Sequence, residues 1–242
     1  MKIYPTLPGL TYPVLRSAEF DTLVQASPNK YEVDLPQMVN PLWHWELVYD
    51  FLRDFAYGSF TVSELRTLLD FFLYHSGRAT PFLYLDPDDN AVGPAMNGST
   101  PNPLAQLQVV NDGAGNYYSP LQRTLGGLFF EDITDLNTDT TAGGSALAVY
   151  ANGTLQPGTA YTIGGPGLAV PGASFMGLYL AWGTTAPATP VTAQFNFYFR
   201  ARFESDSQDV EKFVHQFWTI GGSEAQRGTG TIKITQARPN PL

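Results

Sequence analysis

Glu32, Asp34, Glu46, Asp50, Glu131 and Asp132 lie in or beside stretches that alternate apolar and polar residues. Two such carboxylates across a cleft would suit glycan hydrolysis, one giving a proton while the other activates water or attacks. Their spacing singles out no pair, and charges on the outer faces of strands account for them. His44, His75 and His215 are far apart, without the short spacing that puts two imidazoles on one metal, and read as strand-face or helix-end residues. "DPDDNAVGPAMN" opens like a calcium loop, with Asp86, Asp88 and Asn90 at the first, third and fifth positions. It then departs, because Ala91 stands where glycine is needed and Asn97 where a bidentate glutamate is needed, so an Asp-Pro turn is expected. The absence of cysteine excludes a thiolate nucleophile and a cysteine-held metal. No G-x-S-x-G elbow occurs, and "GGPG" at 164–167 lacks the lysine and helix of a phosphate loop. The expectation is a chain that is not an enzyme, with no catalytic, cofactor-binding or metal-binding residues and no cofactor.

Aromatic residues offer a different chemistry. Trp43, Trp45, Tyr117, Tyr118, Tyr179 and Trp182 have flat faces on which sugar rings could stack, but they sit inside strand patterns, which favours core or subunit packing. Arg200 and Arg202 fall on the polar side of a phenylalanine-rich strand, either as a solvated face or as contacts to an acidic neighbour. Trp43, Trp45, Arg200 and Arg202 are therefore the candidate subunit or partner contacts.

The elements that must hold these residues are mostly strands. Among 242 residues, 23 glycines and 19 prolines are spread through apolar runs, which suits many short strands joined by turns. In "PLWHWELVYDFLRDF", Trp43, Trp45, Leu47 and Tyr49 share one side of a period-2 pattern, and in "VTAQFNFYFRARFES" Phe195, Phe197, Phe199, Ala201 and Phe203 do the same. "VYANGTLQPGTAYTI" predicts a hairpin about Asn152-Gly153 that sets Ala151 opposite Thr154 and Tyr150 opposite Leu155, with a second reversal at Pro157-Gly158. The segment from Val210 to Phe217 fits strand and helix alike. One helix is expected over about 61–76, capped by Thr61 with Glu64 reaching back, stapled by Phe60 and Leu65, and stopped by Gly77. Its apolar stripe would be Leu65, Leu68, Leu69, Phe72 and Leu73. The expected fold is mainly β: a β-sandwich or barrel-like N-terminal domain over 1–90 carrying that helix, a loop over 91–103, a second β-rich region over 104–203, and a C-terminal segment over 204–242 returning to the first domain.

Charge narrows the partners. Charged residues are only 14% of the chain, low for a freely solvated surface, so part of that surface is expected against other subunits. A formal charge of −9 opposes binding to phosphates. The N-terminal "MKIYPTLPGLTYPVLRS" has prolines where a signal peptide needs an unbroken apolar core, and no apolar run reaches the roughly 18 residues of a membrane span. A chain without a membrane anchor, made in the cytoplasm, is expected.

"GLTYPVLRSAEFDTLVQASPNKYEV", "YDF", "LRTLLDFFLYHSGR" and "PFLYLDPDD" resemble, in order and spacing, the N-terminal part of the distal tail proteins of long-tailed phages and gene transfer agents. "QVVNDGAGNYY", "VYANGTLQPGTAYTI" and "LAWGTTAPATPVTAQFNFYFRARFESD" are similar to the second half of that family, so the resemblance covers most of the chain. A histidine-serine pair precedes Gly77 where a more basic stretch is expected, and the 91–103 loop is expanded. The resemblance implies a virion protein: a homo-oligomeric ring, a hexamer, at the distal end of the tail tube, with DNA passing through its lumen unbound. It would join the tube protein to tail-tip, hub and receptor-binding proteins, without catalysis. The alternative is a stand-alone carbohydrate-binding β module for host attachment.

Overall fold

The computed structural model describes residues 1–26, 28–29, 31–56, 62–93, 104, 106–170, 173–220 and 230–238. The protein is mainly β, with one α-helix among these residues. It divides into two compact units, residues 1–82 with 201–237 and residues 83–200 with 238–242. The long strand Val191–Phe203 crosses the division, its last three residues belonging to the first unit.

In the first unit, β1 (Leu10–Glu19) is followed by β2 (Thr22–Ala26), β3 (Glu32–Pro36), β4 (Leu42–Tyr49), β5 (Leu52–Arg53) and α1 (Glu64–Tyr74). The sheet here runs β1, β4, then the strand Gly230–Gln236, then Ala201–Phe203, with every neighbouring pair antiparallel. β4 alternates as its sequence predicts: Trp43, Trp45, Leu47 and Tyr49 are buried, while His44, Glu46 and Val48 are half-buried on the other face.

The barrel-like form expected for this domain is not adopted: among the described residues no sheet closes on itself. Closure needs the two end strands to pair, yet β1 pairs only with β4 among the described residues. Pro13 within β1 has no amide to donate, and the β1–β4 register shifts between Thr11 and Leu15, which suits an edge strand.

Helix α1 starts two residues later than a Thr61 cap would set it. Ser63 is the cap, with extended backbone and its hydroxyl accepting from the amide of Arg66 at 3.1 Å. Thr61 and Phe60 lie outside the described residues. Glu64, expected to reach back to the cap, is buried and takes Arg53 instead, accepting from its amide at 3.1 Å and its Nη1 at 2.5 Å. The buried stripe is also rotated: Leu65, Leu68, Phe71, Phe72 and, past the helix, His75 face inward, while Leu73 is exposed. Aromatic packing decides this rotation. Phe71, Phe82, Phe203 and Tyr4 form one cluster with ring centroids 4.9–6.5 Å apart, and Phe72 lies 5.0 Å from Phe203. Gly77 ends the turn at a φ of 62°, and a Cβ there would come within 2.9 Å of Asp206.

In the second unit, the Val191–Arg200 part of the long strand pairs with Ala148–Ala151, Gln106–Leu107, Ala91–Val92 and Asp135–Leu136. A four-stranded sheet runs Thr162–Gly164, Tyr179–Gly183, Tyr117–Pro120, Val110–Asn111. The Asn152-Gly153 hairpin has the predicted register, with positive φ at both residues. The second reversal closes through Ala160 N–H to the carbonyl of Pro157 at 2.9 Å. The phenylalanine strand differs from expectation in having a second buried face. Asn196 and Tyr198 are buried too, and Ser145 donates to Asn196 Oδ1 at 2.7 Å. Val210–Val214 and Phe217–Ile220, ambiguous in sequence, are paired strands of the first unit.

Candidate assembly surface

An antiparallel hairpin has two faces, and a residue shares its face with the one opposite. In β2–β3, Leu23 faces Leu35 and Gln25 faces Val33, so one side is apolar; Thr22 faces Pro36 and Val24 faces Asp34, so the other is mixed and acidic. Both sides meet solvent: Leu23 is 41%, Leu35 50%, Val33 55% and Val24 57% exposed. Among the described residues β2 and β3 pair only with each other, their base closed by Gln37 N–H donating to the carbonyl of Asp21 at 2.8 Å. An isolated two-stranded hairpin is marginal in water, and an unburied row of Leu, Val and Leu on one is the mark of a contact surface.

The first unit carries further apolar exposures of a different kind. Leu73 and Tyr74 stand out from α1, and Val62 precedes its cap. The edge strand β1 adds Leu15, with Phe20 just beyond it. A cleft of about 360 Å3 lies between α1 and the sheet end, floored by Phe72 and Phe203 and walled by Glu204, Gln208, Asp209 and Lys233. In the second unit, Leu125 and Leu128 are exposed in the turn before the strand Phe130–Asp132.

The residues singled out in the sequence fall elsewhere. Trp45 is fully buried and Trp43 nearly so, its ring covered by the Arg16 guanidinium at 4.5 Å, so neither offers much surface to a partner in this conformation. Arg200 is held by Asp135 through a two-pronged contact at 3.1 and 3.0 Å, whereas Arg202 is exposed on the outer face. Of the sugar-stacking candidates, Trp182 is buried with its Nε1 donating to Ser119 at 3.1 Å, and Tyr118 and Tyr179 pack edge to face. Tyr118 also lies 3.5 Å from Asp112, whose carboxyl is held below its usual range, chiefly by the Asn116 side chain. Asp86 and Asn90 make a turn: Asp86 accepts from the Asp88 amide at 3.0 Å, and Asn90 donates back to the Asp86 carbonyl at 2.7 Å. Among the described residues no group of three or more histidine, aspartate or glutamate side chains is gathered as a metal site.

The carboxylates do not converge on a cleft as an acid–base pair. Glu46 binds Lys233 at 2.9 Å, Asp132 binds Gln122 and the Met176 amide, and Glu32 and Asp34 lie on the exposed hairpin. Glu131 and Asp89 share the buried Arg123, whose guanidinium also stacks near Phe199 at 4.9 Å. Arg123 escaped the sequence reading, although a lone arginine on the inward side of "LQRTL" is the signal for such a network. The β2–β3 hairpin escaped it as a surface because its apolar rhythm is the same as that of a core strand.

No protein-family model matches the chain, and a search of curated proteins finds no match.

Proposed function

We propose that the chain is an architectural protein of a phage-type tail tip, a distal tail ring that joins the tail tube to the tip and its receptor-binding components. The observation that carries assembly is the β2–β3 hairpin, a free-standing pair of strands whose Leu23, Val33 and Leu35 face has nothing to cover it within the described chain. A ring closes by repeating one contact between two different patches of the same chain. The hairpin supplies one patch, and the outer side of α1, with Leu73 and Tyr74, supplies the other. The sequence resemblance gives the type of ring, a hexamer at the end of the tube. The charge of −9 suits a lumen through which DNA slides without sticking. The carbohydrate-module reading has less support, since its three tryptophan platforms, Trp43, Trp45 and Trp182, are buried.

Native mass spectrometry and negative-stain imaging of the purified chain, alone and with the tube protein made alongside it, test the reading. Closed rings of one stoichiometry are expected. A chain that stays monomeric under both conditions, or that is absent from the tail appendage in a map of intact particles, overturns it.

A further inference from the structure

His44 stands on the outer face of β4 between two carboxylates that belong to different strands. Its Nδ1 lies 2.6 Å from Oε1 of Glu204, just past the end of the long strand, and its Nε2 lies 2.8 Å from Oε2 of Glu19, the last residue of β1. Glu19 is separated from the hairpin only by Phe20 and Asp21. We propose that His44 is a proton-operated latch that fastens the root of the β2–β3 hairpin to the sheet.

The reason is a count of donors. Ionised carboxylates only accept, and a neutral imidazole has a single N–H, so only the imidazolium serves both neighbours. The two contacts are unequal. The Glu204 contact is a short hydrogen bond to a side chain 30% exposed, whereas Glu19 is 68% exposed and its contact with Nε2 is poorly aligned for a hydrogen bond. When the ring loses its proton, the remaining N–H stays on Nδ1, and the Nε2 lone pair faces the Glu19 carboxylate. That pairing repels, and Glu19 turns to solvent.

The surroundings belong to the same balance. Glu19 and Ser17 face His44 from β1, Glu46 lies two residues along β4, Lys233 and Thr235 come from the neighbouring strand, and Arg202 shares the row one strand further. Glu46 holds Lys233 at 2.9 Å, and Lys233 also feels Glu204. The latch is closed while the ring carries a proton on each nitrogen, and it opens when the ring gives one of them up. The end of β1 and the hairpin root then lose a side-chain tie, while β1 keeps its backbone pairing with β4. The latch stands on contacts inside one chain and does not need the ring reading to hold.

The test uses the full chain. Side-chain nitrogen NMR of His44 follows which atoms carry protons between pH 5 and 8, and hydrogen exchange of peptides spanning 17–37, corrected for intrinsic rates, follows the hairpin root. Protons on both nitrogens at the acid end, retention on Nδ1 at the basic end, and a rise in corrected exchange of about two- to fivefold are expected, the range that one exposed ion pair supplies. His44→Gln and Glu19→Gln should flatten that rise. Exchange that does not change with pH in the native chain, or that rises equally in Glu19→Gln, overturns the latch. Glu19→Gln alters an exposed side chain and decides the matter even where His44→Gln fails to fold. Oligomeric state measured on the same samples separates the two proposals: rings without a pH response sink only the latch, and a pH response without rings sinks only the assembly reading.

Discussion

At the scale of single residues, the unusual groups are those that the fold has taken out of water. Tyr49 is 1% exposed, its hydroxyl 3.0 Å from that of Tyr4. Burial pushes its phenol up to about 12, the Tyr4 hydrogen bond works against the shift, and the nearby Glu64 charge adds to it. A folded-state value raised above the unfolded value of about 10 means that the stabilisation is complete below pH 10 and is lost as pH climbs from there to about 12. That difference corresponds to roughly 3 kcal/mol. Urea unfolding at pH 8 and pH 11.5 should therefore show a marked loss in the native chain and a smaller one in Tyr49→Phe; equal losses would remove Tyr49 from the account. Arg123 is the converse case, a buried cation shared by Asp89 and Glu131. Arg123→Met takes away the guanidinium and leaves both acids in the interior of the second unit, at a cost of about 3–5 kcal/mol. Joint replacement of all three by apolar residues of similar volume should recover most of that loss in the same unfolding measurement.

At the scale of elements, α1 shows which part of a helix is local and which is not. Ser63→Ala removes the hydroxyl that accepts from the Arg66 amide and should lower stability by about 1 kcal/mol in thermal or urea unfolding, while Thr61→Ala should cost much less. Sequence favours Thr61, because T-x-x-E is a complete capping box on paper. The choice falls to Ser63 because Glu64 is captured by Arg53, eleven residues earlier, through a contact that no local pattern contains. The rotated stripe has the same origin: Leu73 and Phe71 both fit helical spacing, and the ring cluster around Phe82 and Phe203 selects Phe71. Legible features were those whose cause is short-ranged, such as the alternation of Trp43 to Tyr49 and the Asn152-Gly153 register, which turn geometry fixes by itself. Illegible ones depended on what lies opposite. The open edge at β1, the covered second face at Asn196 and Tyr198, and the exposed apolar side of the hairpin all follow from pairings that periodicity cannot see. An apolar row reads alike whether it meets its own core or another chain.

At the scale of the whole molecule, a head-to-tail contact between unlike patches makes a prediction that a symmetric contact does not. Leu23→Asp with Leu35→Asp places charge on the hairpin face, and Leu73→Asp places it on α1. All three side chains are at least 41% exposed, so each variant should fold with a melting temperature close to that of the native chain. Each should nevertheless fail to assemble, since burying an unpaired carboxylate in the contact costs several kcal/mol. Mixing the two failed variants is the discriminating experiment. The α1 variant keeps a sound hairpin and the hairpin variant keeps a sound α1, so one productive contact forms between them while the two remaining patches are spoiled. Heterodimers that grow no further should appear by native mass spectrometry at concentrations where neither variant associates alone. If the mixture stays monomeric, the hairpin and α1 are not the two halves of one contact. Full rings from the hairpin variant would show that the apolar hairpin face lies outside the assembly altogether, and full rings from Leu73→Asp would show the same of the outer side of α1.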